Sequence, residues 1–126
     1  MSLKTRPKKY KIIALIGQAG AGKDSIMREV VKRCPGLHEI VSCTTRPMRE
    51  GEKHGVNYFY LTNEEFAERV INGQMFESTI FNDWCYGTSV DSVDDSVVNI
   101  GVFNPEGIEI LSHEPQVDLT VYYICA

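Results

Sequence analysis

The segment Lys11-Ile12-Ile13-Ala14-Leu15-Ile16-Gly17 is apolar at five consecutive positions and then stops at glycine. Such a run predicts a strand covered on both faces, as in a parallel sheet. The period then changes. From Lys23 to about Cys34, Ile26, Val30 and Cys34 recur at i, i+4 and i+8 before Pro35-Gly36, which predicts an amphipathic helix and its stop. "HEIVSCTT" reads as a strand, "RPMREGEKHG" as a long polar loop and "VNYFYL" as a strand rich in aromatics. Thr62-Asn63-Glu64-Glu65 fits a capping box, and Phe66, Val70 and Ile71 give the helix behind it an apolar face ending at Gly73. "MFESTIF" and "WCYGT" predict further strands, "SVVNIGVF" an apolar strand, "PEGIEIL" a short helix opened by Pro105, and "VDLTVYYICA" a last strand. The alternation predicts an α/β protein with a strand-rich insertion.

Between the first strand and the first helix lies Gly17-Gln18-Ala19-Gly20-Ala21-Gly22-Lys23-Asp24-Ser25. The spacing fits a phosphate-binding loop, in which backbone N–H groups and a lysine cradle phosphates, and its flanking strand and helix supply the required context. A glycine-rich turn of no chemical purpose is the plain alternative. One position departs from the pattern: Asp24 stands where a serine or threonine hydroxyl normally faces Mg2+.

Composition narrows the picture. At 126 residues and 43% hydrophobic, the chain suits one globular domain. Its four cysteines form no C-x-x-C pair, which disfavours zinc and suggests reduced thiols in a cytoplasmic protein. The basic start followed by an apolar run mimics a signal peptide, but Ile12 to Ile16 is too short for one and far too short to span a bilayer. After Arg69 there is no lysine or arginine, and residues 70–126 carry nine acids. Anionic ligands must therefore be held by the first half, and neither nucleic acid nor a membrane is expected as a partner. His38, His54 and His113 are each isolated and read as surface or loop residues.

The segments "GQAGAGK", "SCTTRPMREGE", "GVNYFY", "MFE" and "YGT", in this order within residues 11–89, resemble the motifs of guanylate kinase. The resemblance implies a P-loop NTPase core with a parallel sheet, formed by residues 1–41 and 88–126. A small mixed α+β insertion, residues 42–87, would bind the nucleoside monophosphate. It implies transfer of the ATP γ-phosphate to GMP or dGMP, with ATP and Mg2+ as cofactors and nucleotides as partners. Residues 17–25 would hold the ATP phosphates, with Lys23 catalytic between the β- and γ-phosphates. Arg46, Arg49, Tyr58 and Tyr86 would bind the GMP phosphate, Glu77 would read guanine, and Ser42 and Thr88 would add hydroxyls to the base.

The residues make chemical sense of this. Two guanidinium groups at i, i+3 can clamp a phosphate, and tyrosine hydroxyls can complete its cage. A carboxylate accepts from guanine N1–H and N2–H2, a donor pair adenine lacks. The plain readings are solvated loop arginines, ordinary strand tyrosines and an edge-strand surface charge at Glu77.

The sequence also departs from the family. "VFNPEG" stands where D-x-D-x-Q-G is usual, so Val102 and Asn104 replace two aspartates. One expectation is that the metal-facing acid has moved to Asp24, with Ser25 a lesser ligand; the other is that Asp24 caps the helix. The arginine-bearing lid and the later core elements of the family have no counterpart in these residues, so the core is expected to be incomplete: a piece of a longer protein or an impaired enzyme. The other readings are a kinase of a different nucleoside or deoxynucleoside monophosphate, and a non-catalytic guanylate-kinase-like binding module. The intact Gly17, Gly22 and Lys23 argue against the module.

Overall fold

The computed structural model describes residues 9–17 and 22–124. Four parallel strands form the first sheet in the order β2-β7-β1-β8: β2 His38–Glu39, β7 Val98–Val102, β1 Tyr10–Gly17 and β8 Val117–Ile124. The second sheet, β4-β3-β6-β5, is mixed: β4 Phe59–Tyr60 runs parallel to β3 Cys43–Thr44, while β6 Trp84–Ser89 is antiparallel to both β3 and β5 Met75–Phe81. The helices are α1 Lys23–Arg33, α2 Asn63–Ile71 and α3 Pro105–Ser112. This is the expected α/β class, a parallel sheet with a small mixed one.

The apolar run of β1 is covered on both faces, as its continuity predicts. Tyr10, Ile12 and Ala14 pack with Ile40, Phe76, Phe103 and Leu111 on one side. Ile13 and Leu15 pack with Met27, Val30, Val31 and Ile100 on the other, under α1. Phe76 comes from the second sheet, so the first cluster also ties the two sheets together.

Five details differ from the sequence pattern. The buried side of α1 is Met27 with Val30 and Val31, whereas Ile26 and Cys34 are exposed. The helix ends at Arg33, and the C-cap Cys34 leaves helical geometry. "HEIVSCTT" is not one strand: β2 pairs with β7, Ile40 turns into the core, and β3 joins the second sheet. Strand pairing in "VNYFYL" is confined to Phe59 and Tyr60. On α2 only Phe66 is buried, while Val70 and Ile71 are exposed. The capping box does form: Glu65 N donates to Thr62 Oγ1 at 3.1 Å and Thr62 N to Glu65 Oε1 at 2.8 Å. Among the described residues no helix is long and apolar enough to cross a membrane.

Candidate active site

The site lies where β1 and β7 end, since in an open parallel sheet the loops at the carboxyl ends of the strands form the crevice. Gly17 closes β1, and Gly22 enters α1 at φ 78, a left-handed conformation that favours glycine. Gln18, Ala19, Gly20 and Ala21 lie outside the described residues. Lys23 is the first residue of α1, and its Nζ donates across the loop to the Gly17 carbonyl at 2.6 Å. Asp24 and Ser25 are exposed on the same first turn, where the unpaired N–H groups and the helix dipole favour anions.

Arg46, just after β3, is only 7% exposed. Its guanidinium grips Glu52 with two parallel bonds, Nη1 to Oε1 at 3.0 Å and Nη2 to Oε2 at 2.9 Å, and also donates to the Pro47 carbonyl. Arg49 N and the Tyr60 hydroxyl each donate to Glu52 Oε1 at 2.8 Å. Four donors on one carboxylate hold its pKa down to about 2, Arg46 contributing most, and Glu52 in turn raises that of Arg46. A partly buried pair of this kind fixes geometry more than it stabilises the fold. The guanidinium lies 5.3 Å from the Tyr58 ring centre, and the Tyr58 and Tyr86 rings are 5.9 Å apart. Burial raises the Tyr58 pKa, with Tyr86 and the charge of Asp24 adding to it. The side chain of Arg49 stands at the surface.

Glu77 on β5 and Thr88 on β6 are register partners, beside an irregularity between Met75 and Glu77. Burial pushes the Glu77 carboxyl up to about 7, and the nearby Thr88 opposes this only in part. Thr88 is fully buried, and its Oγ1 has no partner at hydrogen-bond geometry among the described residues. An orphan hydroxyl beside a desolvated carboxylate is costly in a finished core and useful in a binding site.

A cavity of about 420 Å³ joins these parts: its lining includes Gly17, Lys23, Ser42, Tyr58, Tyr86 and Glu77. Arg46 lies over the ring of Tyr58, and Thr88 is the strand partner of Glu77; neither they nor Arg49, Asp24 and Ser25 belong to the lining. A depression of similar volume, about 440 Å³, lies by α2, but its only arginine, Arg69, is bound to Ser89 and lies 3.7 Å from Asp91, and two further acids, Glu65 and Glu68, make it a poor anion site.

The sequence model of the guanylate kinase family matches residues 9–102. The chain belongs to the guanylate kinase family. The guanylate kinase of Thermotoga maritima is 42% identical over 93 residues, which is 74% of this chain and 44% of that protein. That of Mycoplasma mycoides subsp. mycoides is 37% identical over 117 residues, 87% of this chain and 39% of that protein. The chain thus spans less than half the length of these curated relatives. A crystal structure of guanylate kinase from Anaplasma phagocytophilum matches the fold with a TM-score of 0.70, covering 90% of this chain and 60% of that one at 24% identity.

In this guanylate kinase family chain, the sequence reading assigns no role to Glu52, Tyr60 or Gly107. Glu52 lies inside the "SCTTRPMREGE" segment, but an irregular loop has no period that would pair it with Arg46. Gly107 carried a signal, a glycine in the first turn of a predicted helix where a better helix former would serve. Its reason is spatial: a Cβ there would collide with Glu77 Oε1.

Proposed function

We propose that the chain transfers the γ-phosphoryl group of ATP to GMP or dGMP. An oxygen of the acceptor phosphate forms a bond to the γ-phosphorus, the bond to the β-phosphate bridging oxygen breaks, and ADP and GDP or dGDP leave. The observation that carries this reading is that one cavity is lined by both Lys23 and the buried carboxylate of Glu77. In this reading the parallel sheet, residues 1–41 and 88–126, supplies the donor side, and residues 42–87 supply the acceptor side.

Residues 17–25 would hold the ATP phosphates, with Lys23 neutralising charge as the group moves. Phosphoryl transfer needs positioning and electrostatic stabilisation more than covalent help. Arg46, held in place by Glu52, would take the acceptor phosphate with Arg49, Tyr58 and Tyr86. Glu77 would accept from guanine N1–H and N2–H2, with Ser42 and Thr88 adding hydroxyls. Ionised Glu77 matches two donors; its protonated form matches one fewer.

Mg2+ fits the residues at the loop. The Asp24 carboxylate and Ser25 hydroxyl are exposed oxygens directly after Lys23, suited to an ion held jointly by one carboxylate and substrate phosphates. Bound there, the ion would offset charge on the donor phosphates.

A coupled ADP-release assay with GMP, dGMP, AMP, CMP, UMP and dTMP tests the reading. Release with GMP and dGMP alone is expected. Faster release with AMP than with GMP would overturn the guanine assignment.

A further inference from the structure

Beside the cavity, one polar corner joins the second sheet to the parallel one. Asn104, at the end of β7, is the N-cap of α3, and its Oδ1 accepts from Gly107 N at 2.8 Å. That bond fixes which end of the amide is oxygen, so Nδ2 is the atom that donates to Thr79 Oγ1 at 2.9 Å. Thr79 follows Glu77 by two residues on β5, so both side chains share one face of the strand, and both line the cavity with Asn104. The space Glu77 needs is left by Gly107: a Cβ there would meet Glu77 Oε1 and lie 3.1 Å from Asn104 Oδ1. Glu77, Asn104 and Gly107 thus share one corner, and Thr79 ties it to β5.

The choice of amide follows from this geometry. An aspartate at 104 could cap α3, but it would set a second negative charge beside a carboxylate already short of solvent. Asparagine caps the helix, donates to Thr79 and adds no charge. Each of its two polar atoms already has a protein partner, one bond apiece, which ties the residue into this corner.

We propose that Asn104 is a positioning residue: it docks β5 onto the N-terminus of α3 through Thr79, and so sets where the Glu77 carboxylate stands in the cavity. The functional consequence rests on the GMP reading; the docking itself does not.

Two variants of the full chain break the link from opposite sides. Thr79→Val removes the acceptor, and Asn104→Ser keeps an N-cap oxygen while removing the amide donor. GMP affinity is measured by calorimetry, and the Glu77 carboxyl is titrated by NMR without nucleotide. Each single variant is expected to weaken GMP about fivefold to tenfold, the range for one neutral hydrogen bond. The double variant should lose no more than the weaker-binding single one, and Thr79→Ser should return affinity to within about twofold of the parent. In both single variants Glu77 should titrate at a lower pH as it gains solvent. Unchanged affinity in Thr79→Val, or losses that add in the double variant, would overturn the proposal. If the parent chain binds no GMP but the Glu77 titration still moves in both variants, the docking stands and the GMP reading is what fails. If the titration stays put as well, the docking fails with it.

Discussion

Glu77 and Thr88 face each other across the β5–β6 pair, both shut off from water, and the hydroxyl has no partner at bonding geometry among the described residues. Burial has pushed the carboxyl up to about 7. The folded state therefore holds a proton there that the unfolded chain releases near 4.5, so stability falls as pH rises from about 4.5 through about 7. Glu77→Gln should remove this dependence and stabilise the protein at pH 8 by up to about 3 kcal/mol, while weakening GMP by about 2–4 kcal/mol. Urea unfolding at several pH values and calorimetry check the two halves. A variant that loses stability at pH 8 would contradict the desolvated carboxylate.

The same carboxyl makes binding pH-dependent. Guanine donors favour the ionised form, so affinity should fall as pH drops below about 7. GMP carries its own phosphate titration near pH 6, which guanosine lacks. Guanosine affinity that falls below pH 7 in the parent chain, and stays flat in Glu77→Gln, is the expected result.

How much of this was legible in the sequence depends on what each residue answers to. Ile12 to Leu15 announce β1 because both faces of that strand are buried, and a continuous run records it. Ile26 and Cys34 mislead because helix period alone cannot say where α1 stops or which neighbours cover it; Met27, Val30 and Val31 face β1 and β7 instead. "HEIVSCTT" conceals a change of sheet, since a strand pattern says nothing about its partner. Lys23 and Glu77 stood out, one in a glycine loop and the other as a lone charge in an apolar strand. Glu52 answers to Arg46 within one irregular loop, where no period pairs them, and Gly107 answers to Glu77 on another element, so the reason for its glycine appears only in the fold.

Glu52 is the support of Arg46. Its carboxyl is held near 2, so its contribution is present above the unfolded value of about 4.5 and is lost as pH falls toward 2. Glu52→Gln leaves a nearly buried guanidinium without its two-pronged acceptor. GMP affinity should drop roughly tenfold, because the cation that meets the phosphate is no longer held in place. Guanosine affinity should be unchanged. An equal loss for both ligands would point to general unfolding of the loop.

Asp24 sits on the first turn of α1, and its charge is among those that raise the Tyr58 phenol, so its field reaches the cavity wall. Asp24→Ala should raise the Mg2+ concentration needed for half-maximal ADP release and leave GMP affinity nearly intact. If Asp24 serves only the helix dipole, the variant loses about 0.5 kcal/mol of stability and its Mg2+ requirement stays the same.

Gly107 offers a test in which two effects oppose each other. Glycine inside a helix costs about 1 kcal/mol relative to alanine, so Gly107→Ala should stabilise α3 on propensity alone. The new Cβ, however, would collide with Glu77 Oε1 and crowd Asn104 Oδ1. The carboxylate is the end of a flexible side chain, so it yields first and leaves the corner in which guanine would find it. Gly107→Ala should therefore weaken GMP at least roughly tenfold with little change in thermal midpoint, because released burial of Glu77 and helix propensity offset the crowding. Adding Glu77→Ala removes the obstacle. In that background the alanine should contribute its full propensity, a gain of about 0.5–1 kcal/mol, and it should have no further effect on the residual GMP affinity. A substitution that weakens GMP equally with and without Glu77 would place the role of Gly107 in the helix rather than in the space it leaves for the carboxylate.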